Sequence, residues 1–155
     1  MDFRVYYLLL VFGVLSACGE GKNGLTNISS DQKYSIFIGK TYCLSQDMQV
    51  LHLLQETRYP QLEKYSLRDN LVSYISDPYF STVMVQKGTK VTFKEVWTID
   101  DVENENMHGL IWFVGEISDN RNRDAMVDLS ILVGGRSTPA SFNSKIRNDL
   151  VYECS

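Results

Sequence analysis

Several things are scarce or missing in this chain, and each closes off a class of function. No apolar run approaches the roughly 20 residues that a membrane-crossing helix needs; the longest at the N-terminus, VYYLLLVFGV (Val5–Val14), is about half that length. Cations are not in excess, since 15 Lys and Arg face 19 Asp and Glu for a formal charge of −4. That balance argues against nucleic acid, whose affinity comes mainly from Lys and Arg neutralising phosphates. No Cys or His stands two to four residues from another, the spacing that structural zinc sites use. No G-x-S-x-G elbow occurs, and a serine, a histidine and an acid picked from a chain this long do not make a triad.

What is present begins at the N-terminus. A short head with one side-chain cation, Arg4, is followed by the apolar run and then by LSAC, Leu15–Cys18. A charged head, an apolar centre of 7 to 15 residues and small residues at a cleavage point describe a secretory signal. Leu15, Ser16, Ala17 and Cys18 resemble the lipobox of bacterial lipoproteins. The resemblance implies removal of residues 1–17 and diacylglycerol on the Cys18 sulfur, whose thiolate is the nucleophile that takes up the lipid. One chain binds a membrane marginally, and two or three hold it. By the sorting rule of that family, Gly19 in place of an aspartate implies the outer membrane, facing the periplasm. Removing Asp2 and Arg4 with the leader keeps the charge at −4.

With Cys18 taken by lipid, Cys43 and Cys154 remain as an even pair, and an oxidising compartment favours their union over two separate buried thiols. The bridge would close a loop of about 110 residues, a constraint on the order of 4–5 kcal/mol in the entropy model. KNGLTNISSD (Lys22–Asp31) is rich in Gly, Asn and Ser and reads as a flexible tether. The expected organisation is therefore signal peptide 1–17, lipidated tether 18–32 and one β-rich domain 33–155. Such a domain has a modest core, for which an end-to-end bridge is useful.

Within the domain the pattern is mainly strand. YSIFI places Tyr34, Ile36 and Ile38 on one face before Gly39 breaks the run, and TYCLS follows. MQVLHLL is apolar on both faces and predicts a strand buried on both sides. Ser66 with Asp69 resembles a capping box; Leu67, Leu71, Tyr74 and Ile75 recur at helical spacing, and Pro78 forbids continuation. These predict one short helix, Leu67–Ile75. TVMVQ and TKVTFKEVW flank Lys87-Gly88, a break of hairpin type, and Val96 falls out of the Val91, Phe93 alternation, which predicts a bulge near Lys94-Glu95. GLIWFVGEI and AMVDLSILV continue as strands, and LVYECS closes the sheet as an edge strand.

Short strands with one helix predict a small antiparallel barrel or a strongly bent sheet, closed by the disulfide. The order of helix, VQKGTKVTFKEV and a hairpin ending in VDLS resembles the bacterial Src-homology-3-like domains of exported lipoproteins, over roughly residues 40–132. That resemblance implies a binding module. Tyr42 and Cys43 also resemble the first strand of membrane-bound lysozyme inhibitors of the C type, but their serine-glycine-x-x-tyrosine loop has no counterpart here.

Candidate chemistry is sparse. His52 shares a strand face with Met48, Val50 and Leu54 and reads as a core histidine. His108 lies beside Asp100, Asp101, Glu103 and Glu105, but a calcium loop needs alternating carboxylates around a central glycine, and Gly109 comes too late. A solvated acidic hairpin loop fits better. Glu95 and Glu116, on neighbouring expected strands, are the one carboxylate pair that could face each other as a glycosidase requires. Nine tyrosines are the larger surplus. Tyr59, Tyr65 and Tyr79 stand near turns or prolines, where an aromatic with a polar tip can serve recognition. No catalytic residue, metal or cofactor is nominated. The expected function is macromolecule binding in the cell envelope, by an inhibitor or immunity-type protein. The alternatives are a cell-wall ligand module or assembly accessory and, more remotely, an envelope hydrolase.

Overall fold

In the computed structural model, which describes residues 24–69, 78–100, 106–118 and 125–154, the two longest strand candidates pair with each other. β1 (Leu25–Asn27), α1 (Gln32–Ser35), β2 (Thr41–Leu44), β3 (Met48–Leu53), α2 (Pro60–Glu63), β4 (Tyr65–Arg68), β5 (Phe80–Val85), β6 (Lys90–Ile99), β7 (Ile111–Ile117), β8 (Val127–Asp128), a 3₁₀ turn (Ser130–Val133) and β9 (Val151–Glu153) follow in order. The strands make one sheet in the order β5-β3-β4-β8-β7-β6-β2-β9, with β1 also on β6. Every pairing is antiparallel except the single Ser66–Asp128 step between β4 and β8. Among the described residues the chain is mainly β, an open sheet with two short helices.

β6 and β7 are the spine because both of their faces are covered. Successive side chains of a strand point to opposite sides. Ile111, Phe113 and Ile117 enter one buried cluster, and Trp112 and Val114 enter a second. Val85 of β5 and Val151 of β9, from the two ends of the strand order, lie in the same first cluster, so the sheet bends around it. The expected bulge is present: the β6–β7 register shifts between Phe93 and Glu95. Both Lys94 and Glu95 thereby fall on the second face, and Val96 returns to the first cluster.

The disulfide expectation holds. Cys43 and Cys154 are joined, with Cα atoms 5.3 Å apart. LVYECS supplies β9, which pairs with β2 at the end of the sheet and sets Tyr152 opposite Cys43.

Five local expectations are corrected. YSIFI is not a strand: Asp31 accepts a hydrogen bond from the Lys33 amide at 2.9 Å and caps α1. The buried positions are Tyr34 and Phe37, three apart, while Ile36 is 48% exposed. Second, the fold starts before Lys33, because Leu25, Thr26 and Asn27 pair with Ile99, Thr98 and Trp97. Third, the helix expected over Leu67–Ile75 begins instead as β4. Leu67 pairs with Val50 and Tyr65 with His52, and that pairing supplies the hydrogen bonds a first helical turn would have supplied. Residues 70–77, the remainder of that helix, lie outside the described residues.

Fourth, Lys87-Gly88 does not close a hairpin. β5 pairs with β3, and β6 with β1, β2 and β7. The turn amides go elsewhere, Lys87 N to Asp47 Oδ1 at 2.8 Å and Gly88 N to the Leu44 carbonyl at 2.8 Å. Fifth, in AMVDLSILV only Val127–Asp128 is strand. The Asp128 carboxylate accepts the Ser130 amide at 2.9 Å and turns the chain, so Leu129 and Leu132 become the buried pair. β3 also departs from its expected double burial: Met48 and Val50 are buried, and the remaining positions are partly covered.

Candidate functional site

The three nominated tyrosines separate. Tyr59 is fully buried, precedes α2 and packs with Leu62, Ile99, Trp112 and Val114 in the second cluster, so it is a core residue rather than a contact residue. Its amide donates to Glu63 Oε2 at 3.2 Å across the α2 turn. Tyr65 and Tyr79 flank the far end of β3 from its two sides. Tyr65 pairs with His52 across β4–β3 and stacks on its ring, with centroids 4.5 Å apart and planes 21° apart. On the other side Ser81 of β5 pairs with His52, its Oγ 3.4 Å from Nδ1. Leu54, 54% exposed, donates its amide to the Tyr79 carbonyl at 2.8 Å, and Tyr79 is 51% exposed.

His52 is therefore not a core histidine. The face carrying Met48 and Val50 is buried up to Val50 and leaves the interior beyond it. Burial, and secondly the nearby Lys64 ammonium, hold the His52 pKa below the ordinary 6.5, which keeps the ring neutral at pH 7. Its two nitrogens then offer one donor and one acceptor.

Beside this group lies a cavity of about 520 Å³ lined by His52, Leu53, Leu54, Gln55, Glu56, Thr57, Pro60 and Lys64. Glu56 and Lys64 give it charges of both signs, and Leu54 and Pro60 give it apolar walls. The buried Thr57 hydroxyl has no hydrogen-bond partner among the described residues. Such a lining suits a polypeptide or glycan segment with donors and acceptors of its own; it contains no nucleophile paired with a base. Leu54, Thr57 and Lys64 were not nominated from sequence. The available signal was the polar run Gln55–Arg58 directly after an apolar strand.

A second concavity, about 290 Å³, is lined by Leu67, Arg68, Asp128, Ser130, Ile131, Gly135 and Arg136. The Arg136 guanidinium lies 3.5 Å from the Trp112 ring centre and donates from Nε and Nη2 to Asp128 Oδ2 at 3.2 and 3.0 Å. Asp128 is buried, and its second oxygen accepts the Ser130 amide. This arrangement neutralises a buried carboxylate and ties β8 to the second cluster. Asp128, Ser130 and Arg136 lie within nine residues, but Trp112 belongs to another strand, and nothing in their spacing joins it to them.

The two nominated carboxylates are held by different partners. Glu116 pairs with Lys94 Nζ at 2.9 Å, while Glu95 accepts the Trp97 indole N–H at 2.8 Å. Each acid is thus engaged by a different group. His108 is exposed in the turn 106–109; Asp101, Glu103 and Glu105 lie outside the described residues, as does Cys18. Among the described residues no three His, Cys, Asp or Glu side chains are grouped to hold a metal ion, and no helix is long and apolar enough to cross a membrane. No protein-family model matches the chain, and neither a curated protein nor a solved structure matches it.

Proposed function

We propose that this chain is a lipid-anchored protein of the bacterial cell envelope that binds another macromolecule at the end of β3, as an inhibitor or immunity-type protein would. Cys18 carries the lipid after removal of residues 1–17, and Gly19 directs the protein to the outer membrane. The observation that carries the binding site is the placing of Tyr65 and Tyr79 on the two sides of the end of β3, whose His52 and Leu54 line a cavity. Leu54 and Tyr79 are large and more than half exposed, and tyrosine is among the residues enriched where interface energy concentrates. β5, which carries Ser81, is the terminal strand of the sheet order. The separate engagements of Glu95 and Glu116 favour binding over glycoside hydrolysis.

The test uses the full-length protein in its native envelope. A photo-crosslinking side chain at Tyr79 should give one discrete adduct, and Leu54→Ala in the same background should reduce its yield about tenfold or more, the cost of a central contact. Circular dichroism should stay unchanged, since both positions are exposed. Co-sedimentation of the protein with insoluble peptidoglycan, lost in the same variant, would reassign the site to a cell-wall ligand. An adduct pattern indifferent to Leu54→Ala would remove the site. Cys18→Ala should abolish incorporation of labelled fatty acid; labelling that persists would remove the anchor.

A further inference from the structure

The fold takes hold of its N-terminal segment close to Cys18. The Gly24 carbonyl accepts the Asp100 amide, and Leu25, Thr26 and Asn27 are then laddered to Ile99, Thr98 and Trp97. Beyond them the Ile28 amide donates to the Val96 carbonyl at 2.8 Å, and Ser29 Oγ receives the Val96 amide at 2.8 Å. From Gly24 to Ser29 the chain is bonded along the C-terminal half of β6. Only residues 19–23 stand between Cys18 and Gly24. A chain spans at most about 3.6 Å per residue, so the six steps from Cys18 to Gly24 reach about 22 Å at full extension. A tether continuing to Lys33 would have reached about 54 Å on the same basis. A domain of this size has a radius of gyration of about 13 Å, so the leash is shorter than the domain is wide.

We infer that the corner made by β1, the C-terminal end of β6 and the turn 106–109 is held against the surface of the bilayer that holds the Cys18 lipid. This rests on the lipid anchor proposed above. The turn belongs to the same corner because the Gly109 amide donates to the Ile99 carbonyl at 2.7 Å. β6 runs away from this corner for ten residues, about 34 Å at strand rise, to Lys90. Cys43 pairs there, so the disulfide lies at the opposite end of the spine. The partner of the corner is a phospholipid headgroup layer. The sequence 100–110 holds four carboxylates, Asp100, Asp101, Glu103 and Glu105, and no Lys or Arg. Proximity is thus imposed by the short leash and not by attraction to anionic lipid, which favours Lys and Arg near its surface.

The two tryptophans of the chain report on this directly, because Trp97 and Trp112 face each other across β6–β7 and Trp97 pairs with Asn27 of β1. Full-length lipidated protein would be reconstituted into phosphatidylcholine vesicles containing a dansyl-headgroup lipid, and energy transfer from tryptophan recorded. A second protein would carry a 15-residue Gly/Ser insertion between Asn23 and Gly24, outside the ladder. Its 21-step leash can extend to about 76 Å, against about 22 Å for six steps. Transfer should fall about twofold or more in the insertion variant. Equal transfer in the two proteins, with diacylglycerol found on Cys18 by mass spectrometry, would overturn the inference and leave the anchor intact. Absence of lipid on Cys18 would overturn both.

Discussion

Gly115 shows how tightly the β6–β7 pair is packed. A Cβ placed there would lie 2.0 Å from the Thr92 carbonyl oxygen and 2.7 Å from Leu129 Cδ1. The first of these is backbone in a paired strand and cannot swing aside. Gly115→Ala should therefore cost about 3 kcal/mol or more, the upper range for overpacking, read as a lower midpoint in urea unfolding. His52 makes a different prediction. Its folded pKa lies below 6.5, so the unfolded chain binds the proton more readily and stability rises with pH through that interval. Stability is fully present above 6.5 and is lost as pH falls toward the folded value. Unfolding midpoints at pH 7 and pH 5 should differ more in the wild type than in His52→Gln.

Among the elements, the spine and the edges were the most legible. TKVTFKEVW and GLIWFVGEI alternate over enough residues to specify a strand, and the one break in alternation, at Val96, marked the bulge. The cysteine parity marked β9 and its bond to β2. Short segments failed where a single side-chain hydrogen bond outweighed the pattern. Asp31 caps α1, which takes in the first two residues of YSIFI, and Asp128 turned SILV into a 3₁₀ turn. The capping-box reading of Ser66 failed because β3 offers it a strand partner more than ten residues earlier, information that lies outside any local window. For the site, Tyr65 and Tyr79 were visible as aromatics near turns, whereas Tyr59 shares that signature and is buried; exposure is a property of the packed molecule.

Two element-level predictions follow from how the edges are fastened. β9 has three residues on β2 and is secured by the disulfide. Replacing both Cys43 and Cys154 with serine should cost on the order of 4–5 kcal/mol in the entropy model, a large share of a typical 5–15 kcal/mol. Hydrogen exchange at Val151–Glu153 should accelerate before that of β6 and β7. Along β6, between its pairings with β2 and β1, Ser29 stands in for a strand: its hydroxyl receives the Val96 amide and faces the Val96 carbonyl. Ser29→Ala should cost about 1–2 kcal/mol, the value of a buried amide left without its acceptor, measured by chemical denaturation.

At the scale of the whole molecule, both buried clusters share β6 and β7, so neither face can lose its packing while the other stays intact. Unfolding should be a single cooperative transition in which tryptophan fluorescence and far-ultraviolet circular dichroism coincide. Separate transitions would mean that the second cluster, with α2, opens alone. The connectivity that unites the clusters also has a consequence in time. β1 and β2 both lie along β6, which is synthesised some 50 to 70 residues later, and the β2–β9 pairing is separated by more than a hundred residues in the chain. Sheets dominated by such distant pairings fold slowly, because loop closure precedes the contacts that compensate it. A ribosome-bound chain therefore holds β1 and β2 without their strand partner until the spine has emerged. The sheet therefore cannot be completed until the last few residues, which carry β9 and Cys154, have been made.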